Sequence, residues 1–164
     1  MGELLVLDND QIDKKIKRLA YEIYEQNCDI KTLYLGGINN NGLAFAKILK
    51  KNLKKISNLK IELVQIKMNP ADPMEEISLS ISAKDLQKKT IIVVDDVANT
   101  GRSIFYACNP LLESVPLSIQ VAVLVDRKHK SFPIKVDYVG LSLATTFKEN
   151  IRVILGKEKS VYLQ

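Results

Sequence analysis

Two adjacent acids, Asp95 and Asp96, close the β-branched run 90–94, and a segment rich in small and hydroxyl-bearing residues follows at once: Val97, Ala98, Asn99, Thr100, Gly101, Arg102 and Ser103. Neighbouring carboxylates at a strand end repel and raise each other's pKa unless hydroxyl donors or a cation stand opposite. The two hydroxyls of a sugar diol are such donors. Small residues around Gly101 let the chain turn so that successive N–H groups and the start of a helix converge, while Thr100 and Ser103 add hydroxyls, which together make a cradle for a phosphate. A ribose diol and its 5-phosphate are separated by only a few bonds, so one short loop can hold both. A buried strand ending in an acidic helix cap would explain Asp96, but neither the second acid nor the Thr-Gly-Arg-Ser run. Neither of the other common phosphate signatures, G-x-x-x-x-G-K-[ST] and G-x-G-x-x-G after a strand, is present.

Such a loop must be presented by a sheet. Ile12, Ile16, Leu19, Ala20, Ile23 and Tyr24 recur at helical spacing behind Asp8, Asn9 and Asp10, which can cap the helix they predict. Residues 32–35 read as a buried strand closed by a glycine turn at Gly36 and Gly37. In the next helix Ala44, Phe45, Ile48, Leu49, Leu53 and Ile56 share one face, and Lys47, Lys50, Lys51, Lys54 and Lys55 form the solvated one. Residues 61–66 predict a strand, 67–76 an irregular loop with Pro70 and Pro73, and 77–81 a short returning strand. Residues 103–112 have helical spacing that Pro110 should kink or end. Runs at 121–125, 136–139 and 151–155 predict further strands. The alternation of helix and strand predicts an α/β fold with a mostly parallel sheet covered by helices on both faces. Ligands of such sheets lie beyond the carboxyl ends of the strands, where the run 93–103 falls.

A chain of 164 residues suits a single domain spanning 1–164, with a core large enough to stand without disulfides or a structural metal. With 46% hydrophobic and 26% charged residues the balance is that of an ordered soluble chain. No apolar stretch approaches the ~20 residues of a spanning helix, and the first residues lack the basic and long apolar regions of a secretion signal. A cytoplasmic protein without membrane contact is expected. Cys28 and Cys108 stand far apart, with no second cysteine or histidine at metal-ligand spacing, and are expected to be reduced and free of zinc. The net charge of +5 is compatible with phosphates or nucleic acid without selecting either. His129, the 1 histidine, lies in a basic turn, Arg127-Lys128-His129-Lys130.

The string Val93-Val94-Asp95-Asp96-Val97-Ala98-Asn99-Thr100-Gly101-Arg102-Ser103 resembles the signature of the type I phosphoribosyltransferases. Val6-Leu7-Asp8, the run Gly37-Ile38 to Gly42, Ile119 to Arg127, Pro133-Ile134 and Asp137 to Gly140 extend the resemblance over nearly the whole chain, poorest at 67–82. Within the family they are most similar to the bifunctional pyrimidine-operon regulators with uracil phosphoribosyltransferase activity. The resemblance implies the type I phosphoribosyltransferase fold with a small hood. It also implies binding of 5-phosphoribosyl-1-pyrophosphate or a nucleotide, and transfer of phosphoribosyl to a pyrimidine base with release of pyrophosphate. Asp95 and Asp96 would position the ribose and its Mg²⁺, residues 97–103 would hold the 5-phosphate, and Gly37, Ile38, Asn39 and Asn40 would face the pyrophosphate. Val125, Asp126 and Arg127 would wall the base pocket, with Phe147 stacking on the base. A homodimer is implied as well.

The sequence departs from that pattern at three places. The turn Gly37-Ile38-Asn39-Asn40-Asn41-Gly42 has no Lys or Arg near the pyrophosphate, so it brings hydrogen-bond donors but no positive charge. Ile66-Lys67-Met68-Asn69-Pro70 stands where the family's mobile loop commonly carries Tyr-Arg-Asp-Asp, leaving Lys67 as the substitute for the missing arginine. Position 99 is Asn where purine-salvage members have an acid, which favours a pyrimidine or an altered ligand. The alternative from another class is a nucleotide-sensing, RNA-binding regulator of pyrimidine genes with weak or no catalysis. Lys17, His129, Lys130 and Lys135 fall on the face where the similar regulators bind RNA, whereas Tyr21, Gln26 and Leu141 replace polar or basic residues there.

Overall fold

The computed structural model describes residues 2–146 and 148–164. Strand β1 (Leu4–Leu7) leads into helix α1 (Asn9–Asn27), which starts where Asp8 and Gln11 cap each other reciprocally: Gln11 N–H donates to Asp8 Oδ1 and Asp8 N–H to Gln11 Oε1, both at 2.9 Å. The face of α1 carrying Ile12, Ile16, Leu19 and Ile23 is fully buried. Then come β2 (Thr32–Ile38), α2 (Asn39–Ile56), β3 (Lys60–Lys67), the two-residue β4 (Ser78–Leu79), a 3₁₀ turn at Ala83–Leu86 and β5 (Thr90–Ala98). Helix α3 (Arg102–Ala107), a 3₁₀ turn at Asn109–Glu113, β6 (Ser118–Arg127), β7 (Tyr138–Leu143), β8 (Ile151–Leu155) and β9 (Lys159–Leu163) complete the order. The helical spacing over 103–112 is divided where foreseen: Pro110 opens a separate 3₁₀ turn because it has no N–H to continue α3.

The main sheet has 6 strands in the order β4-β3-β2-β5-β6-β7, parallel except for the β3–β4 pair. Its central strand alternates between two cores. Ile92 and Val94 pack with the α1 and α2 side chains, and Ile91 and Val93 pack with Ile104, Ala107 and Leu111 on the opposite face. With both faces covered, residues 91–94 have no polar position, the mark of a buried parallel strand.

Two expectations need correction. Gly36 and Gly37 do not turn; β2 continues through both to Ile38. A Cβ on Gly36 would stand 3.0 Å from Ile66 Cδ1, and one on Gly37 would stand 2.4 Å from Leu43 Cα. These glycines therefore serve close packing, and the turn is made by Asn39, whose φ of 52° is left-handed. The small hood that the resemblance implies is a separate antiparallel sheet of 3 strands, β1, β9 and β8, of which only the 151–155 strand was expected from the local pattern. The short strand at 77–81 is trimmed to Ser78–Leu79, that at 136–139 shifts to Tyr138–Leu143, and β3 runs on to Lys67, which pairs with Ser78.

Candidate functional site

From β2 the chain first adds β3 on one side and then returns to place β5 on the other. The strand order reverses between β2 and β5, and such reversals leave a crevice outside the carboxyl ends of the strands. The start of α2 presses into this point: a Cβ on Gly42 would lie 2.5 Å from Val94 O. That approach lets Asn41 Nδ2 donate to Asp96 Oδ2 at 3.1 Å, and Asn39 Oδ1 accept from Met68 N–H at 3.0 Å. The asparagine turn thus ties together the ends of β2, β3 and β5.

Asp95 and Asp96 are half-buried at the end of β5. Asp95 Oδ1 accepts from Asp96 N–H and Asp96 Oδ1 from Val97 N–H, both at 2.9 Å. Burial, then the neighbouring Asp96 charge, hold the Asp95 carboxyl well above its ordinary value, opposed only by the Asp96 N–H. Asp95 is thus a carboxylate short of donors, a condition that hydroxyls or a cation would relieve.

Beyond it the chain turns at Gly101, whose φ of 85° is left-handed, and enters α3. Thr100 O accepts from Ser131 N–H at 3.0 Å and Phe132 N–H at 3.2 Å, so the turn is anchored from behind by the segment after β6. A cavity of about 340 Å³ is lined by residues 95–104 and by Ile151 of the hood. Among the lining residues Asn99, Thr100 and Arg102 are exposed, while Gly101 is buried.

The remaining candidate residues fall in different surroundings. Ile38, Ala98 and Val125 are essentially fully buried, so only their backbone is available to a ligand. Asp126 is occupied by Lys130 Nζ at 2.6 Å, and the same ammonium donates to Arg127 O. Arg127 donates from Nε to Thr145 Oγ1, from one terminal nitrogen to Asn99 Oδ1 and from the other to Thr146 O. Asn39, Asn40 and the exposed Lys67 line a second depression of about 560 Å³ with Gln65, Met68 and Glu76. β2 lies between β3 and β5, so Lys67 is not brought into the cavity of Asp95 and Asp96. Phe147 lies outside the described residues. His129 is exposed in the turn after β6.

Sequence reasoning did not single out Asn41, Thr145 or Ile151 as site residues, reading Asn41 only as part of its turn and Ile151 only as part of a strand. Asn41 could have been found from its place before Gly42; Thr145 and Ile151 carry no local signal, because they arrive from β7 and β8 through the fold. Among the described residues no group of three or more His, Cys, Asp or Glu is gathered to hold a metal. A cation here would have to share its coordination between the Asp95 and Asp96 carboxylates and oxygens of a ligand.

The strand order and the crevice define an α/β protein with an open face beyond the carboxyl ends of its sheet, and a family comparison makes the class specific. The phosphoribosyl transferase domain matches residues 5–155, and the chain belongs to that family. A protein of Fusobacterium nucleatum named bifunctional protein PyrR is 34% identical over 171 aligned positions, covering 97% of each chain. One of the same name from Streptococcus agalactiae is 35% identical over 151 positions, covering 90% of this chain and 87% of its own. Among solved structures, the hypoxanthine phosphoribosyltransferase of Trypanosoma cruzi superposes with a TM-score of 0.79 over 97% of this chain and 94% of its own, at 16% identity. A hypoxanthine-guanine phosphoribosyltransferase of Bacillus anthracis gives 0.73 over 87% and 84%, also at 16% identity. The structural likeness establishes the type I phosphoribosyltransferase fold, and the relatives in sequence lie with the PyrR proteins.

Proposed function

We infer that the protein binds 5-phosphoribosyl-1-pyrophosphate at residues 95–103 and transfers the phosphoribosyl group to a pyrimidine base, uracil, releasing pyrophosphate. One observation carries this reading: Asp95, a carboxylate short of donors, and Asp96 beside it adjoin, in a single cavity, a left-handed turn at Gly101 followed by α3. Asp95 and Asp96 accept the ribose hydroxyls, and the N–H groups and hydroxyls of residues 97–103 donate to the 5-phosphate. The base nitrogen bonds to the anomeric carbon as the bond to the pyrophosphate oxygen breaks; both electrons leave with pyrophosphate, and the proton of the base passes to water. Asn39 and Asn40 donate toward the pyrophosphate without adding charge, and Lys67 supplies the positive charge from the neighbouring depression as the loop after β3 closes. Val125, Asp126 and Arg127 form the base side. The two carboxylates suit Mg²⁺, which takes few protein ligands and completes its shell with phosphate oxygens and water; when bound it supplies charge neutralisation on the leaving group.

Mg²⁺ and phosphoribosyl pyrophosphate together should raise the melting temperature, by about 2.7 kcal/mol of stabilisation at a hundredfold excess over Kd. Incubation with a panel of free bases should then release pyrophosphate with uracil. Replacing both acids, Asp95→Asn with Asp96→Asn, should abolish both effects. An unchanged melting curve at millimolar ligand would remove the binding claim.

The relatives named as bifunctional favour a second reading, a nucleotide-sensing regulator that binds RNA. Lys17 and Lys135 are exposed as it requires, but Lys130 is committed to Asp126, and Arg18 donates to the carbonyls of Val139 and Gly140. RNA binding would weaken steeply with salt, whereas turnover would not. A single domain over 1–164, cytoplasmic residence and pairing of two copies belong to the same proposal. No helix of the described residues is long and apolar enough to cross a membrane, and sedimentation velocity measures the pairing.

A further inference from the structure

On the α3 face of the sheet a groove of about 760 Å³ lies apart from the cavity of Asp95 and Asp96 and shares no lining residue with it. Pro110, Ile119, Val121 and Ile134 give it an apolar lining that is buried or half-buried. Its volume falls in the range of ligand sites, but the apolar surface does not end with the groove. Among the lining residues Met74 is 80% exposed, Phe105 42% and Leu112 66%, and the chain runs on through Val115 at 69% and Leu117 at 67%. A small molecule in the groove would leave Val115 and Leu117 in water, whereas a polypeptide segment covers groove and strip together. Phe105 is a ready anchor, because its ring already rests on Tyr106 at 5.8 Å and Phe132 at 5.7 Å and loses little freedom on contact. Met74, unbranched and flexible, adapts to the contour of a partner.

The charges around this groove are mostly of one sign. Glu75, Glu76 and Glu113 line it, exposed and with no ion-pair partner among the described residues. Asp137 adds another carboxylate, 3.9 Å from Lys135, the lysine of the lining. On a chain of net charge +5, this excess of acids sets the surface apart from the rest. We propose that the groove docks a basic amphipathic segment of a partner protein, its apolar face laid into the groove and its lysines or arginines against the acids. Apolar anchors then supply affinity, and the flanking charges choose the partner. Nucleic acid is repelled by such a rim. Two copies meeting through the same patch would set Glu75, Glu76 and Glu113 against like charges, so the rim opposes a symmetric pair of this chain here.

The probe is a short, fluorescently labelled alanine-based helical peptide with leucine on one face and lysine beside it, and the full chain is titrated into it by fluorescence anisotropy. One control peptide has glutamate for every lysine, and another has the same residues shuffled so that the leucines no longer share a face. Wild-type protein should bind the lysine peptide at least about tenfold more tightly than either control. Glu75→Lys with Glu113→Lys changes exposed side chains only, so the fold should stand, and the order of the lysine and glutamate peptides should reverse. Leu112→Ser should weaken the lysine peptide by about fivefold or more. Asp10→Lys with Glu158→Lys makes the same change of net charge beside the hood and should keep the wild-type order. Failure of the lysine peptide to bind, or equal binding of either control peptide, overturns the proposal. So does a loss in the Asp10 and Glu158 variant as large as in the Glu75 and Glu113 variant, which would show attraction to the surface at large. A dimer in sedimentation velocity that Leu112→Ser dissociates would put a second copy in the groove and overturn it as well.

Discussion

Replacing Gly42 with alanine tests whether the close approach of α2 to β5 builds the crevice. The new Cβ would stand 2.5 Å from Val94 O, where ordinary contact begins at 3.4 Å, and the obstacle is a strand carbonyl that has no rotamer to change. The start of α2 would have to retreat by roughly 0.9 Å. Overpacking of this kind costs about 1–3 kcal/mol, and a rigid backbone neighbour argues for the upper half of that range. Against it stands the gain of about 0.8–1 kcal/mol from exchanging glycine for alanine inside a helix. The net loss is about 1–2 kcal/mol, or a melting temperature lower by roughly 2–8 °C for a chain of this size. The same retreat carries Asn41 away from Asp96, a contact now at 3.1 Å, so stabilisation by Mg²⁺ and phosphoribosyl pyrophosphate should weaken more than the bare melting point does. Differential scanning fluorimetry with and without ligand measures both effects. Gly156→Ala is the control, since nothing lies within 4 Å of its Cβ. If Gly42→Ala melts and responds to ligand like Gly156→Ala, the packing argument for the crevice is wrong.

Asp95→Asn should melt at a higher temperature than wild type at pH 7 in the absence of ligand, because the amide escapes the cost of ionising a carboxyl at this half-buried place and keeps an oxygen for the Asp96 N–H. The native carboxyl holds its proton to higher pH than the unfolded one does, so wild-type stability should rise as pH falls through the native pKa. The gap between the two proteins should therefore close toward the ordinary value of 3.8. Melting curves across pH check this, and a gap that widens in acid would contradict it. Tyr138→Phe removes a hydroxyl that donates to Gln120 Oε1 at 2.7 Å and accepts from Asn27 Nδ2 at 3.2 Å. Since Asn27 still donates to Gln120, the cost should be about 0.5–1.5 kcal/mol by urea unfolding. A loss beyond about 3 kcal/mol would show that this network bears more of the fold than its remaining bonds imply.

The sheet and its helices were legible because their signals are local and periodic. The apolar run 91–94 can be buried only in a strand covered on both faces, and the spacing of Ile12, Ile16, Leu19 and Ile23 specifies one helical face. The proposal of a ligand loop at Asp95 to Ser103 has the same local basis: its acids, hydroxyls and glycine fall within nine residues. The glycines of β2 misled, because glycine marks a turn or a close approach alike, and only the presence of Leu43 and Ile66 beside them decides which.

What joins distant segments had no such signal. The pairing of β1 with β9, the reach of Ile151 into the cavity and the tie from Arg127 to Asn99 and Thr145 are contacts between residues far apart in the chain. Residue type along the chain determined that paired acids, hydroxyls and a turn glycine stand close together, which is what the proposed sugar-phosphate site rests on. Which way the Asn99 amide points, and that Lys67 stands apart from the paired acids, were decided by tertiary structure, because hydrogen-bond direction and separation across a sheet are properties of the packed strands.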